Sequence, residues 1–234
     1  MKNPILFTVL VCGFLTGCFT PPFKPPEMVP VGDVDPHDVA QSFARKLPDR
    51  QETEDSLVFR FLWKEIAVLG MTRVDREARA FEAISLNHLG VPLFQVSGDA
   101  EGNHLRYALP EFKKYPQFTE NTGNDIRRIH FDLVPAESAR AKVLSDRVLF
   151  RERCTEGTLD HIFGGQGNLL IEKRLTRWGC LRWRVNYYEY AEADGYVYPR
   201  GIVLYNVADH YRLIVRTRGI TFDLEEKESS GPSP

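Results

Sequence analysis

Surplus charge is the first thing this sequence lacks. Its 234 residues carry 30 Lys and Arg against 32 Asp and Glu, a formal net charge of −2. There is no global basic field to hold nucleic acid by its phosphates. Cysteine and histidine are scarce, at 4 and 6 residues. The histidines (His37, His88, His104, His130, His161 and His210) stand singly. None forms the His-Glu-x-x-His pair that sets two metal ligands on one helix face. No Gly-x-Ser-x-Gly nucleophile elbow occurs. Gly164-Gly165-Gln166-Gly167 lacks the Lys and hydroxyl of a phosphate loop and reads as a turn between strands. Asp132 and Glu137 are close in sequence, but paired carboxylates act only where a fold brings them together. No metal and no cofactor is therefore expected, and a binding protein is favoured over an enzyme.

Long apolar runs are also missing, with one exception at the start. Met1-Lys2-Asn3 is short and positive, and 5–15 is almost unbroken apolar sequence. A membrane-spanning helix needs about 20 such residues, so this run is too short. Leu15-Thr16-Gly17-Cys18 follows it. The layout is that of a cleavable export signal, and the tetrad resembles the lipobox of bacterial lipoproteins. That resemblance implies removal of 1–17 and acylation of Cys18 with palmitate-like chains. Each buried methylene contributes about 0.8 kcal/mol, so two or more chains hold a domain stably at a membrane. In enterobacteria an Asp after the lipid-bearing cysteine retains a lipoprotein in the inner membrane. Phe19 in that place implies an outer-membrane anchor with the domain facing the periplasm.

The stretch 18–32 is rich in proline and reads as an extended, semi-rigid tether. The tail 224–234 is charged, then Ser-, Gly- and Pro-rich, and is expected to be disordered. One domain over 33–223 remains, long enough to bury a core. With Cys12 in the signal and Cys18 lipidated, Cys154 and Cys180 are left as an even pair in an oxidising compartment. A disulfide between them would close a loop of about 26 residues and contribute about 3 kcal/mol. Two buried free thiols are the alternative.

Within the domain, Asp35 followed by Pro36 is a helix start, and Val39, Phe43 and Leu47 recur at helical spacing up to Pro48. A second helix is expected from Asn124 or Asp125 to 133, with Ile126, Ile129, His130 and Leu133 on one side. His130 is read as a core histidine, and 138–150 as a further helix. The rest alternates as strands do. Leu57, Phe59, Phe61 and Trp63 share one face of a strand. Leu181, Trp183, Val185 and Tyr187 alternate with Arg182, Arg184 and Asn186. Leu213 and Val215 alternate with Arg212 and Arg216, and Leu169 and Ile171 add to the same interior. The fold class is therefore α+β: a single domain with a curved antiparallel sheet covered by helices.

The closing stretch carries a family resemblance. Tyr198-Pro199-Arg200-Gly201-Ile202-Val203-Leu204-Tyr205-Asn206, then Tyr211-Arg212-Leu213-Ile214-Val215-Arg216, is similar to the end of several LolB-like lipoproteins. With the lipobox and the element order, the chain resembles the superfamily of periplasmic lipoprotein carriers and outer-membrane lipoprotein receptors, LolA and LolB. The resemblance covers 57–219. It implies an incomplete β-barrel whose helices lie over an apolar cavity for acyl chains. The cavity-lining candidates are Phe59, Phe61, Trp63, Leu169, Ile171, Leu181, Trp183, Val185, Tyr187, Leu213 and Val215. The expected function is binding or transfer of apolar cargo, namely acyl chains, lipid or lipoproteins. The alternative is a non-catalytic structural or assembly lipoprotein with a filled core that contacts other envelope proteins. The resemblance also implies an exposed apolar delivery loop, which is not assigned here; Gly90-Val91-Pro92-Leu93-Phe94 is the nearest apolar stretch, but it reads rather as a buried strand. Finally, Lys173-Arg174-Leu175-Thr176-Arg177-Trp178, with Arg182 and Arg184, is a local basic patch. It reads as the solvated face of strands; a functional version would touch anionic headgroups or a partner.

Overall fold

The computed structural model describes residues 22–61 and 64–222. The signal 1–17, Cys18, Trp63 and the tail 224–234 lie outside the described residues. The elements in order are α1 (Pro36–Ala44), β1 (Arg50–Phe61), β2 (Lys64–Asp75), β3 (Ala80–Leu86), β4 (Pro92–Gly98) and β5 (Asn103–Ala108). Then come α2 (Pro110–Lys113), α3 (Phe118–His130), β6 (Arg140–Val143), β7 (Arg147–Cys154) and β8 (Gly157–Gly164). The chain closes with β9 (Leu169–Arg177), β10 (Cys180–Ala193), β11 (Tyr196–Asn206) and β12 (Tyr211–Phe222).

All twelve strands form one antiparallel sheet in the order β5-β4-β3-β2-β1-β12-β11-β10-β9-β8-β7-β6. Five strands meander outward from β1. The chain then crosses through α2 and α3 to the far edge, and seven strands meander back until β12 pairs with β1 from Gln51↔Phe222 to Phe61↔Tyr211. The edge strands β5 and β6 do not pair, so the sheet is open.

One face of this sheet bears the helices. On β7–β12 it presents Val148, Phe150, Phe163, Leu170, Val185 and Leu204, all close to fully buried, and α1 adds Val39 and Phe43 while α3 adds Ile129. A separate apolar cluster sits on β2–β5, where Val74, Phe81, Phe94 and Val96 meet Phe131, Phe112 of α2 and Phe118 of α3. The helices are short, so they cover only part of this face. Irregular segments supply the rest, through Val31, Leu133 and Ala139.

Local chemistry explains each helix. Asp35 caps α1 by accepting the His37 amide at 2.7 Å, and Pro36 fills the first helical position. α3 begins six residues before the expected start and contains Asn124 and Asp125. Gly123 looks like a helix breaker, but a Cβ there would lie 2.3 Å from the Asn103 side chain of β5. The glycine is what allows helix and strand to approach. The stretch 138–150 is not a helix: it forms β6 and the start of β7, where Val148 and Phe150 are buried alternately with their neighbours.

The stretch 18–32 is not a free tether over its described part. Residues 22–31 form a strap bound across the opposite, outer face of the sheet. Phe23 is 3% exposed and packs with Tyr188, Val203 and Ile214. Its ring lies where a Cβ on Gly201 would be, 2.4 Å away, so β11 needs a glycine there. The Arg216 guanidinium covers the ring at 4.6 Å and donates to the Pro22 carbonyl at 3.2 Å. The Lys24 amide donates to Glu189 at 2.9 Å. The Val31 amide then bonds the Ser145 carbonyl at 3.1 Å, where the strap turns onto the helix-bearing face. Burying an aromatic side chain of this size contributes about 2–3 kcal/mol, enough to hold the strap in place.

Candidate functional site

The inner, helix-bearing face is the candidate site, and the sequence-derived lining divides on it. Trp183, Val185, Tyr187, Leu213 and Val215 are buried in the main core, with Phe59 and Leu169 packed partly buried against it. Three candidates depart from the expectation. Phe61 ends β1 and is 49% exposed. Ile171 is displaced by a bulge: Phe163 pairs with Leu170 and Ile162 with Glu172, so Ile171 is the extra residue and lies beside the strap residue Met28, over Gly164. Leu181 is displaced by a second bulge at Arg182. There Leu181 pairs with Thr176 and Trp183 with Leu175, so Leu181 faces away from the core. A one-residue slip reverses every following side chain, and two-residue periodicity in a sequence cannot register it. The buried Leu170 and Leu175 were missed for the same reason.

The interior is nearly filled. Its cavity measures ≈ 30 Å³ and lies between Phe43 and Leu47 near α1, Ile129 and Leu133 around the end of α3, and Tyr187 and Ile202 on the sheet. Of the proposed lining residues only Tyr187 borders it. That space holds one or two waters; ligand pockets run to about 300–1,000 Å³. The expected open void is therefore absent from this conformation, because α1, α3 and the segment after α3 occupy it.

Polar groups that no motif announced fasten this cover. The last carbonyls of a helix lack internal partners, and at α3 the sheet supplies donors. Tyr187 Oη donates to the Ile129 carbonyl at 3.0 Å and Arg76 Nε to that of His130 at 3.3 Å. Lys173 Nζ donates to the Phe131 carbonyl at 2.5 Å, and His161 Nε2 to that of Asp132 at 2.8 Å. Cations at a helix C-terminus also meet the negative end of its dipole. Burial pushes the Lys173 ammonium down to about 7 and the His161 imidazole down to about 4. Burial likewise takes His130 down to about 3, although its side chain is only partly buried and borders the cavity rather than joining the core. Asp125 of α3 is buried and driven up to about 6 by desolvation, although Tyr211 and Arg128 donate to its two oxygens.

Beside these lies a buried polar row on β1, Gln51, Thr53 and Asp55. Asp55 accepts from Thr53 at 2.7 Å and Thr217 at 2.9 Å, and burial raises its pKa. Among the described residues no group of three or more His, Cys, Asp or Glu could hold a metal ion. Asp132 pairs with Arg79 rather than with Glu137.

Cys154 and Cys180 are free, exposed thiols, not a disulfide. They end β7 and begin β10 at the same end of the sheet, with β8 and β9 between them. Three strand spacings amount to about 14 Å, and a disulfide needs Cα atoms within about 7 Å.

The open antiparallel sheet, with short helices on one face, can be compared with known proteins. No family model matches the sequence, and no curated protein matches it. Solved structures do match. A LolA superfamily protein of Nitrosomonas europaea superposes with a TM-score of 0.56, covering 83% of this chain and 97% of its own, at 8% identity. The chain has a LolA-like fold. A Vibrio parahaemolyticus outer membrane lipoprotein-sorting protein domain gives 0.50 over 81% of this chain and 93% of its own, at 11% identity. A DUF1329 family protein of Desulfovibrio piger gives 0.50 over 80% and 92%, at 7% identity. The resemblance read from the two closing strands thus holds at the level of the fold. Of the stretch 90–94, residues 92–94 belong to β4 and Phe94 is buried, as the strand reading expected, while the β3–β4 turn before it leaves Leu89 87% exposed and Val91 half-exposed. The Gly164–Gly167 segment is the β8–β9 turn, as read.

Proposed function

We propose that this protein is a lipid-anchored envelope protein that binds or transfers apolar cargo, an acyl chain, a lipid or a lipoprotein, on the inner face of its sheet. It acts as a binder without catalysis, tied to the outer membrane by acyl chains on Cys18 and facing the periplasm. The observation that carries this reading is the mismatch between the face and its cover. An apolar surface extends over β7–β12 and onto β1, interrupted by His161, Lys173 and the Gln51–Thr53–Asp55 row, while the helices bring to it only Val39, Ala40 and Phe43 of α1 and Ile129 of α3. Such a layer can be displaced by a ligand that replaces its contacts. The ≈ 30 Å³ cavity is then the closed state, and cargo takes the place of the α1 and α3 side chains. The exposed Leu89 tip would serve delivery into a bilayer.

The small cavity favours a second reading, a structural or assembly lipoprotein with a permanently filled core that works through protein contacts. A fluorescent fatty-acid titration of the delipidated protein separates the two. Saturable one-to-one binding, competed by unlabelled palmitate, is expected for the carrier. Absence of saturable binding removes it and leaves the structural reading.

A further inference from the structure

We propose that one end of the sheet is a docking surface for an anionic bilayer, with Trp178 as its interfacial anchor; this deepens the reading that Cys18 carries lipid. Register puts the β1–β2, β7–β8, β9–β10 and β11–β12 turns at the same end, because Phe61 pairs with both Lys64 and Tyr211 and Trp183 pairs with Asn206. From Trp183, β10 continues back to Cys180, so the β9–β10 hairpin projects about 10 Å past the end of β11. At its tip Trp178 and Gly179 adopt φ of +51° and +78°, and Trp178 is 89% exposed. The Arg177 guanidinium lies 4.5 Å from the ring. Phe61 and Val207 are exposed on the neighbouring turns.

Charge divides the two ends of the sheet. Around the Trp178 end stand Arg60, Lys64, Arg153, Arg177, Arg182 and Arg212, against Glu65, Glu156 and Asp209. At the opposite end the turns carry Glu77, Asp99, Glu101, Asp146 and Asp194. Of the arginines there, Arg50 is paired with Asp75, Arg79 with Asp132 and Arg147 with Asp146, and Arg76 donates to the His130 and Pro48 carbonyls and to Gln51; at the Trp178 end Arg60 is likewise paired with Glu65. A chain of net charge −2 is thus polarised along its strands, and an anionic surface orients it basic end first. Two observations favour a bilayer over a protein partner. The apolar groups sit singly on separate hairpin tips among arginines, the arrangement that suits tryptophan at a headgroup boundary rather than a contiguous contact patch. The strap also climbs from the acidic end, at Ser145, to Pro22 on mid-sheet β12, heading toward the basic end. Cys18 is four residues upstream of Pro22, a span of at most about 14 Å, so a lipid on it is tied within that distance of mid-sheet β12.

The test uses the unlipidated chain 19–234, which contains every described residue, and sedimentation with vesicles of phosphatidylcholine with or without phosphatidylglycerol. Binding is expected to the anionic vesicles and to weaken with salt. Trp178→Asn, a residue that tolerates positive φ, should lower partitioning about tenfold. Arg177→Ser and Arg182→Ser should each lower it about fivefold, while Asp194→Asn at the other end leaves it unchanged. Vesicles with brominated chains should quench wild-type fluorescence more than that of Trp178→Asn. No binding, equal binding to both vesicle types, or binding indifferent to Trp178→Asn each overturns the proposal. Because the protein carries no lipid, none of these outcomes bears on Cys18, whose acylation is read separately by fatty-acid labelling of wild type and Cys18→Ala in cells.

Discussion

The two ends of α3 are held by opposite chemistry. Toward its N-terminus Phe118 packs on Phe94 and Phe112 with ring centroids 4.9 and 5.3 Å away, and Phe94 and Phe112 lie 5.2 Å apart. At its C-terminus the carbonyls of four successive residues receive Tyr187, Arg76, Lys173 and His161. Ring contacts add stability in proportion to the area they bury and tolerate sliding. A buried ammonium adds little net stability, because desolvation offsets its bonds, but it fixes position to a fraction of an ångström. The aromatic end therefore supplies energy and the polar end supplies registration.

Removing the aromatic end should have the largest effect. Phe94→Ala deletes the ring shared by both neighbours and is expected to destabilise by about 3–5 kcal/mol, read as a lowered urea midpoint. A loss under about 1 kcal/mol would mean that this end is already loose.

The polar end sharpens the contrast through pH. Lys173 titrates at about 7 when folded against an ordinary 10.5. Between these values the unfolded chain holds a proton that the folded chain has shed, so stability rises with pH across the window, by up to about 5 kcal/mol, and is flat below it. Above about 10 the buried tyrosines, all shifted upward by burial, act in the opposite sense. Lys173→Met should change stability at pH 7 by less than about 2 kcal/mol, since lost carbonyl bonds and relieved desolvation oppose each other. It should abolish the rise from pH 7 to 10 in urea midpoints. A rise that survives the substitution assigns it to another group.

The smallest effect is spectroscopic. Burial depresses His130 and His161 to about 3 and about 4, so both rings should stay neutral at pH 5.5 in nitrogen-detected NMR. Their contribution to stability is present above 6.5 and is lost as pH falls toward the folded values. Asp125, raised to about 6, works against them over part of that range, which is why ring shifts are a cleaner readout than a melting curve. A protonated His161 at pH 5.5 would show that solvent reaches the clamp.

This contrast also marks what the sequence could tell. The apolar alternation of Trp183, Val185 and Tyr187, the Asp35 cap and the closing strands were legible because short-range rules govern them. The errors lie where one residue changes parity or where partners are remote. The bulges at Ile171 and Arg182 turned Leu181 outward and brought Leu170 and Leu175 in. Lys173 reads as part of a solvated basic patch, yet it is 1% exposed, because its partner carbonyls lie about forty positions upstream on a helix end. The same patch is solvated at Arg177 and Trp178, four and five residues further along. The filled cavity was not legible at all, since it depends on how two helix stripes fit a curved surface.

The seam between β1 and β12 bears on how the chain folds. Every other strand pair joins neighbours in sequence, but here Phe61 meets Tyr211 and Gln51 meets Phe222. Closing so long a loop is entropically slow. Until β12 arrives, β1 offers one bare edge and the inner face stays uncovered on one side. The two meanders can form early as separate hairpin stacks, but they become one sheet only when β12 docks on β1.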